Sequence, residues 1–137
     1  MLYHNDRLYV TMVGGLETDN KVIVINTQTN TVVDSILVGD APNSLQMATD
    51  GTIWVACRGK AVYSTYPDID TAASTYGALA QIDPSTNTRL FQLNLQKGKG
   101  ATKLVRNAQG TSMYFTYDNK VYQLNPQTKQ LNELFAG

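Results

Sequence analysis

The side chains best suited to chemistry in this 137-residue chain fall in and beside one stretch, Arg58 to Gly77. It carries Arg58 and Lys60, Asp68 and Asp70, and Tyr63, Tyr66 and Tyr76, three of the chain's eight tyrosines. Tyrosine offers a rigid flat ring with a polar tip, which suits contact with a ligand or a partner surface. The plainer reading is that these tyrosines pin the stretch onto its own scaffold. Asp68 and Asp70 stand two apart, a spacing that can share a hard cation such as calcium. A full site needs roughly six to eight oxygen ligands and the spacing lacks the EF-hand pattern, so a solvated acidic pair is the simpler reading. Lys97, Lys99 and Lys103 surround Gly98 and Gly100. Glycines with lysines can cradle a phosphate, yet no strand-to-helix transition follows and this is not a P-loop. An exposed, mildly basic crossing is the expectation there.

Other chemistry finds little support. His4 is the only histidine, and no nucleophile or paired carboxylate can be argued beside it. It reads as a surface residue next to a hairpin turn. Cys57 is the only cysteine, which excludes an internal disulfide and a cysteine-based zinc site. It ends an apolar run and is expected in the core, as is Trp54 beside it. No catalytic residue, metal or cofactor is assigned, and the chain is expected not to be an enzyme by itself. Eleven basic and eleven acidic residues cancel, so the basic excess of a nucleic-acid binder is missing. The same neutrality argues against an anionic membrane surface. No apolar run approaches the ~20 residues of a membrane-spanning helix. Met1 is followed at once by strand-like sequence with no leader pattern, and the abrupt start inside a repeat is expected of a fragment.

The elements that must position the tyrosine-rich stretch emerge from an internal repeat. Val22 to Thr31, Leu79 to Thr88 and Val121 to Gln130 align, each an apolar strand, an Asx residue, a polar turn and a second strand. Asn26, Asp83 and Asn125 are placed to form Asx-turns, and Pro84 and Pro126 pre-set the following backbone angle. Asn30 and Asn87 suit the left-handed position that closes each hairpin, whereas Lys129 predicts a looser turn. Ahead of these units lie Leu8-Tyr9-Val10-Thr11, Ile53-Trp54-Val55-Ala56 and Met113-Tyr114-Phe115-Thr116. Each follows a tight-turn pair: Asn5-Asp6, Asp50-Gly51 and Gln109-Gly110. The pattern predicts strands over 1–4, 7–13, 21–26 and 31–38; 44–49, 52–57, 77–82 and 88–95; 102–107, 112–117, 120–125 and 130–136. No stretch has a helical period. Many short strands at this spacing predict an all-β fold of propeller blades.

Leu8-Tyr9-Val10-Thr11, Val22 to Thr31, Val38-Gly39-Asp40-Ala41-Pro42 and Asp50-Gly51 together resemble the YVTN β-propeller repeat. That repeat runs LYVTN, VSVIDTATNTV, VGxxP and PDG. The resemblance covers almost the whole chain and is strongest in the first repeat. Met12 replaces the family's Asn, and Gly100-Ala101-Thr102 stands where VGxxP would end. It implies three four-stranded antiparallel meander blades in one partial propeller, at about 1–38, 39–95 and 96–137, with an insertion at 58–76.

Closed propellers use about 4–8 blades, so three leave two blade faces open. Either a second copy closes a six-bladed ring, or the missing blades lie in a longer parent chain. Insertion 58–76 falls on the rim that also carries 14–20, 117–120, 39–43 and 96–101. Propellers of this type use that rim for ligands or partners, which makes Arg58, Lys60, Tyr63, Tyr66, Asp68, Asp70, Tyr76 and Lys99 the candidate site. The expected function is a non-enzymatic binding or scaffold module taking a small molecule, a glycan or a protein. The resemblance also allows the propeller portion of an amine-dehydrogenase-like enzyme, a corrinoid-capturing surface protein or a self-assembling half-propeller. It implies a periplasmic or cell-surface location.

Overall fold

The computed structural model describes the chain except for residues 15–17, 60–62, 66–67, 70–73, 98, 119 and 137. Its first sheet contains β1 (Leu2–His4), β2 (Arg7–Gly14), β3 (Thr18–Asn26) and β4 (Thr31–Leu37). The second contains β5 (Pro42–Met47) and β6 (Ile53–Cys57). A small separate hairpin follows, β7 (Tyr63–Thr65) with β8 (Asp68–Ile69), and the second sheet resumes with β9 (Tyr76–Asp83) and β10 (Thr88–Lys97). The third contains β11 (Thr102–Arg106), β12 (Met113–Tyr117), β13 (Lys120–Asn125) and β14 (Gln130–Ala136). Each large sheet has four antiparallel strands in meander order. The described residues contain no helix, and the fold is an all-β partial propeller of three blades.

Local chemistry accounts for the repeated hairpins. Asn26, Asp83 and Asn125 each accept a hydrogen bond through Oδ1 from the backbone amide two residues on, at 2.9, 2.9 and 3.0 Å. Asn30 and Asn87 close their turns at φ 55° and 54°. Lys129 does so as well, at φ 62°, with its amide donating to the Asn125 carbonyl at 2.7 Å. The looser third turn expected from the lysine is therefore not found. The Asx-turn fixes the geometry, and Lys129 gains a compensating contact, its Nζ lying 4.9 Å from the centre of the Phe91 ring.

Two apolar clusters stack the blades. Tyr9, Val22, Val24 and Ile36 of blade 1 pack on Leu45, Ile53, Val55 and Ile82 of blade 2. Trp54 and Leu79 pack on Leu104, Met113, Phe115 and Leu124 of blade 3. The innermost strand β5 touches both β2 and β11. Blade 2 is consequently covered on both sides: every residue of β6 is buried, and so is Gly77 through Ile82 of β9. The run Val22–Ile25 reads as covered on both faces in sequence. Val22 and Val24 are buried, whereas Ile23 and Ile25 are only half-buried, because their side of blade 1 has no blade against it.

Cys57 lies in the first cluster, and burial pushes its thiol up to about 12, so it stays an inert apolar group at neutral pH. Trp54 meets Phe91 edge-on at 6.1 Å and is fully buried. Strand bounds shift where the connections are shorter than expected. Of the loop expected at 14–20, Gly14 belongs to β2 and Thr18 through Asn20 to β3. Tyr76, placed in the insertion by sequence, instead opens β9, and β10 extends to Lys97.

Candidate functional site on the insertion rim

The insertion leaves blade 2 between two strands that are already paired. β6 and β9 run in register from Ile53↔Ile82 to Cys57↔Ala78, the last pair before the chain departs. Its two ends stay in contact. Gly59 sits at φ 73°, and a Cβ placed there would lie 2.6 Å from the Tyr76 carbonyl oxygen. A side chain is therefore excluded twice, by backbone angle and by space. The hairpin formed by β7 and β8, with Tyr63 opposite Ile69 and Thr65 opposite Asp68, is an excursion from an otherwise complete blade.

The same contact continues into the crossing to blade 3. A Cβ on Gly77 would meet the Lys99 carbonyl, and one on Gly100 would fall on Arg58, 2.7 Å from its Cα. Three glycines from distant sequence positions thus bring three backbone segments together. They are tied further by the Arg58 amide donating to Ala41, that of Gly59 to Asp40 and that of Ala101 to Cys57. The consequence for the site is direct. Arg58, Tyr76 and Lys99, three of the residues singled out by sequence, converge on this junction.

Of these, Lys99 belongs to the mildly basic crossing that the sequence suggests. Lys99 Nζ lies 3.1 Å from Asp118 Oδ1, with both side chains partly exposed, so the pair contributes about 0–1 kcal/mol and largely cancels the lysine's charge. Both residues, with Gly100, Thr102, Thr116 and Tyr117, line a cleft of about 250 Å³. Arg58 is exposed and has no ion pair among the described residues, which leaves one guanidinium available on this rim. Tyr76, whose carbonyl lies against Gly59 at the same junction, is 45% exposed. Tyr63 and Asp68 occupy the added hairpin; Lys60, Tyr66 and Asp70 lie outside the described residues, and with Asp70 goes the proposed acidic pair. An exposed arginine, an exposed tyrosine and a threonine-lined cleft on one rim suit a polar ligand or a protein surface.

A second concavity, about 600 Å³, lies on the opposite rim between blades 1 and 2, lined by His4, Arg7, Tyr9, Asp50 and Asp83 among others. Sequence reasoning passed over it. It exists because the β1–β2 turn has only Asn5 and Asp6, at φ 50° and 61°, whereas the equivalent turns in blades 2 and 3 are longer. At the next junction the longer turns meet: the Thr49 amide donates to Gly110 at 3.0 Å, and Arg106 Nη1 to Met47 at 3.1 Å. Arg7 also stands where the other repeats place Thr52 and Ser112. That substitution is the signal by which the cleft was open to detection. Arg7 hydrogen-bonds Tyr9, whose phenol is nevertheless raised by burial.

The architecture and its rim define the class of protein: a β-propeller segment of three blades with one elaborated loop. Over 95% of its length the chain superposes on Kuenenia stuttgartiensis hydrazine synthase, with a TM-score of 0.67 and 17% sequence identity. It spans 39% of that chain's length, and at this identity the likeness shows the fold alone. The extracellular domain of a one-component system from B. thetaiotaomicron aligns over 96% of the chain and 21% of its own length, at 15% identity and a TM-score of 0.37, too loose to carry an argument. No protein-family model and no curated protein sequence matches the chain.

Proposed function

We propose that this chain is a non-enzymatic binding module of the YVTN propeller type, and that it takes its ligand or partner on the insertion rim. The observation that carries this reading is the single large departure from the repeat. The four strands of blade 2 pair without residues 60–73, so the added hairpin answers to something other than the blade's own pairing. Long loops inside compact domains are commonly functional. The matching LYVT-type and VGxxP-type segments support the family assignment, and with it a periplasmic or cell-surface setting. The ligand classes this rim suits are a polar small molecule, a glycan or a protein loop.

The test is a melting-temperature screen of oligosaccharides, polar metabolites and short peptides, with each hit titrated against Arg58→Ala and Tyr76→Ala. Each substitution is expected to weaken binding by about 5- to 30-fold, the cost of about 1–2 kcal/mol at an interface anchor. The melting temperature without ligand is expected to stay within about 2 °C, since surface substitutions are usually within about 0.5 kcal/mol. Hits that bind both variants as tightly as the parent chain would remove the rim as the site.

A further inference from the structure

The cleft on the opposite rim holds a residue that the repeat does not call for. Strand register makes Arg7, Thr52 and Ser112 equivalent, each standing just before the paired Leu8, Ile53 and Met113. Thr52 and Ser112 serve their own blades: their hydroxyls accept from Gln81 Nε2 and Gln123 Nε2, both at 3.1 Å. Blade 1 has no such glutamine, because Val24 takes the equivalent place and is fully buried. Arg7 is therefore not needed for that bond, and its guanidinium meets the Tyr9 phenol instead. Tyr9 is 1% exposed yet lines the cleft. Its oxygen accepts from Arg7, and its O–H meets no acceptor among the described residues. A guanidinium carries several N–H donors, and one contact leaves most of them for another partner.

Asp50 and Asp83 line the same cleft from two turns of blade 2. Each holds its own turn through Oδ1, accepting from the Thr52 and Ser85 amides at 3.0 and 2.9 Å. These bonds fix the carboxylates in place without supplying a countercharge, and those from Ser85 hold Asp83 below the usual carboxylate range. Neither aspartate forms an ion pair with Arg7 among the described residues. His4 is engaged locally, its Nε2 lying 3.0 Å from Asn5 Nδ2. Two carboxylates and one guanidinium thus share a cleft of about 600 Å³ without neutralising one another.

We propose that this cleft binds a free basic α-amino acid, of the lysine or arginine class. The ligand's carboxylate pairs with Arg7 and accepts from the Tyr9 O–H, while its two cationic groups lie against Asp50 and Asp83. The charges match in sign and in number. Volume agrees as well, since small-molecule sites run from about 300 to 1,000 Å³. Charge-assisted hydrogen bonds made in a cleft between two blades are stronger than the same bonds in open water. A neutral sugar would leave Arg7 unmatched, and a simple carboxylic acid would meet two like charges. The site is separate from the insertion rim and independent of what binds there.

Amide NMR of the 137-residue chain, titrated with L-lysine and with L-arginine, reads the outcome. Saturable shifts are expected at Asn5, Gly51 and Ser85, with the Arg58 and Tyr76 amides unmoved. Arg7→Thr and Asp83→Asn each install a residue that another blade uses at the same place, Thr52 in one case and Asn26 or Asn125 in the other. Both variants should therefore fold, and each is expected to weaken binding by about 10- to 100-fold, the loss of one charge-assisted contact. Cadaverine, which lacks the carboxylate, and norleucine, which lacks the second cation, are each expected to bind the parent chain about 10-fold or more weakly than lysine. No saturation by either basic amino acid at about 10 mM would overturn the proposal. So would shifts confined to the insertion rim, an affinity unchanged in both variants, or cadaverine and norleucine binding as tightly as lysine.

Discussion

Replacing Trp54 with alanine is expected to destabilise the fold by about 3–5 kcal/mol, the range for emptying a large aromatic site in a core. Trp54 is the largest of the fully buried side chains, and it joins blade 2 to blade 3 through Phe91 and the cluster around Met113 and Phe115. A domain of ordinary stability has about 5–15 kcal/mol in total, so this one change removes a large share. For a chain of this length the melting midpoint should fall by roughly 10–15 °C. The Nε1–H of Trp54 has no partner among the described residues, which separates packing from hydrogen bonding as the cause. Trp54→Phe keeps an aromatic ring and removes the orphaned donor, so it should cost far less than alanine. Equal losses for the two variants in thermal or urea melts would contradict the packing account.

The second large effect is expected at Gly100. A Cβ there would sit on Arg58, within 2.6 Å of its Cγ and 2.7 Å of its Cα. The Arg58 side chain can swing away, but the backbone cannot give without disturbing the hydrogen bonds from Arg58 and Gly59 to Ala41 and Asp40. Gly100→Ala should therefore cost about 1–3 kcal/mol, as overpacking does, and lower the melting midpoint by roughly 4–10 °C. It should also move the amide resonances of Arg58, Tyr76 and Lys99 together, because one junction holds all three. Gly51 is the natural comparison: its φ of 85° disfavours a side chain, yet nothing lies within 4 Å of a Cβ there. Gly51→Ala should carry only the backbone penalty of about 1–2 kcal/mol and leave the rim resonances in place. Identical spectra for Gly100→Ala and the parent chain would sink the junction.

The blades were legible in sequence because their turns are chemically local. An Asx side chain bonding the amide two residues on needs no distant partner, and it recurs at Asn26, Asp83 and Asn125. Lys129 shows the limit of that logic: its type argued for a different turn, and the Asn125 hydrogen bonds with the Phe91 contact held the common one. Burial was read too generously at Ile23 and Ile25, since a continuous apolar run fits either two neighbours or one. The candidate site was legible only as an excess of length and tyrosine. What places Arg58, Tyr76 and Lys99 together is contact between Gly59, Gly77 and Gly100, and no spacing along the chain announces it. The opposite cleft was hidden for a related reason, because it arises from what the short turn at Asn5-Asp6 fails to fill.

The separation of a self-sufficient propeller scaffold from an added binding element is tested most directly by excision. Since Gly59 and Tyr76 already touch, residues 60–73 can be replaced by Asn-Gly, the pair suited to a tight hairpin, with the buried Ser74 kept. Shortening the connection recovers about 0.6 kcal/mol for each halving of loop length, so the excised chain should melt cooperatively at the parent midpoint or a few degrees above it. Titrated with the strongest hit of the ligand screen, it should show no binding at concentrations that saturate the parent chain. Loss of the cooperative melt would mean that the insertion is part of the blade, and undiminished binding would mean that the site lies elsewhere on the molecule.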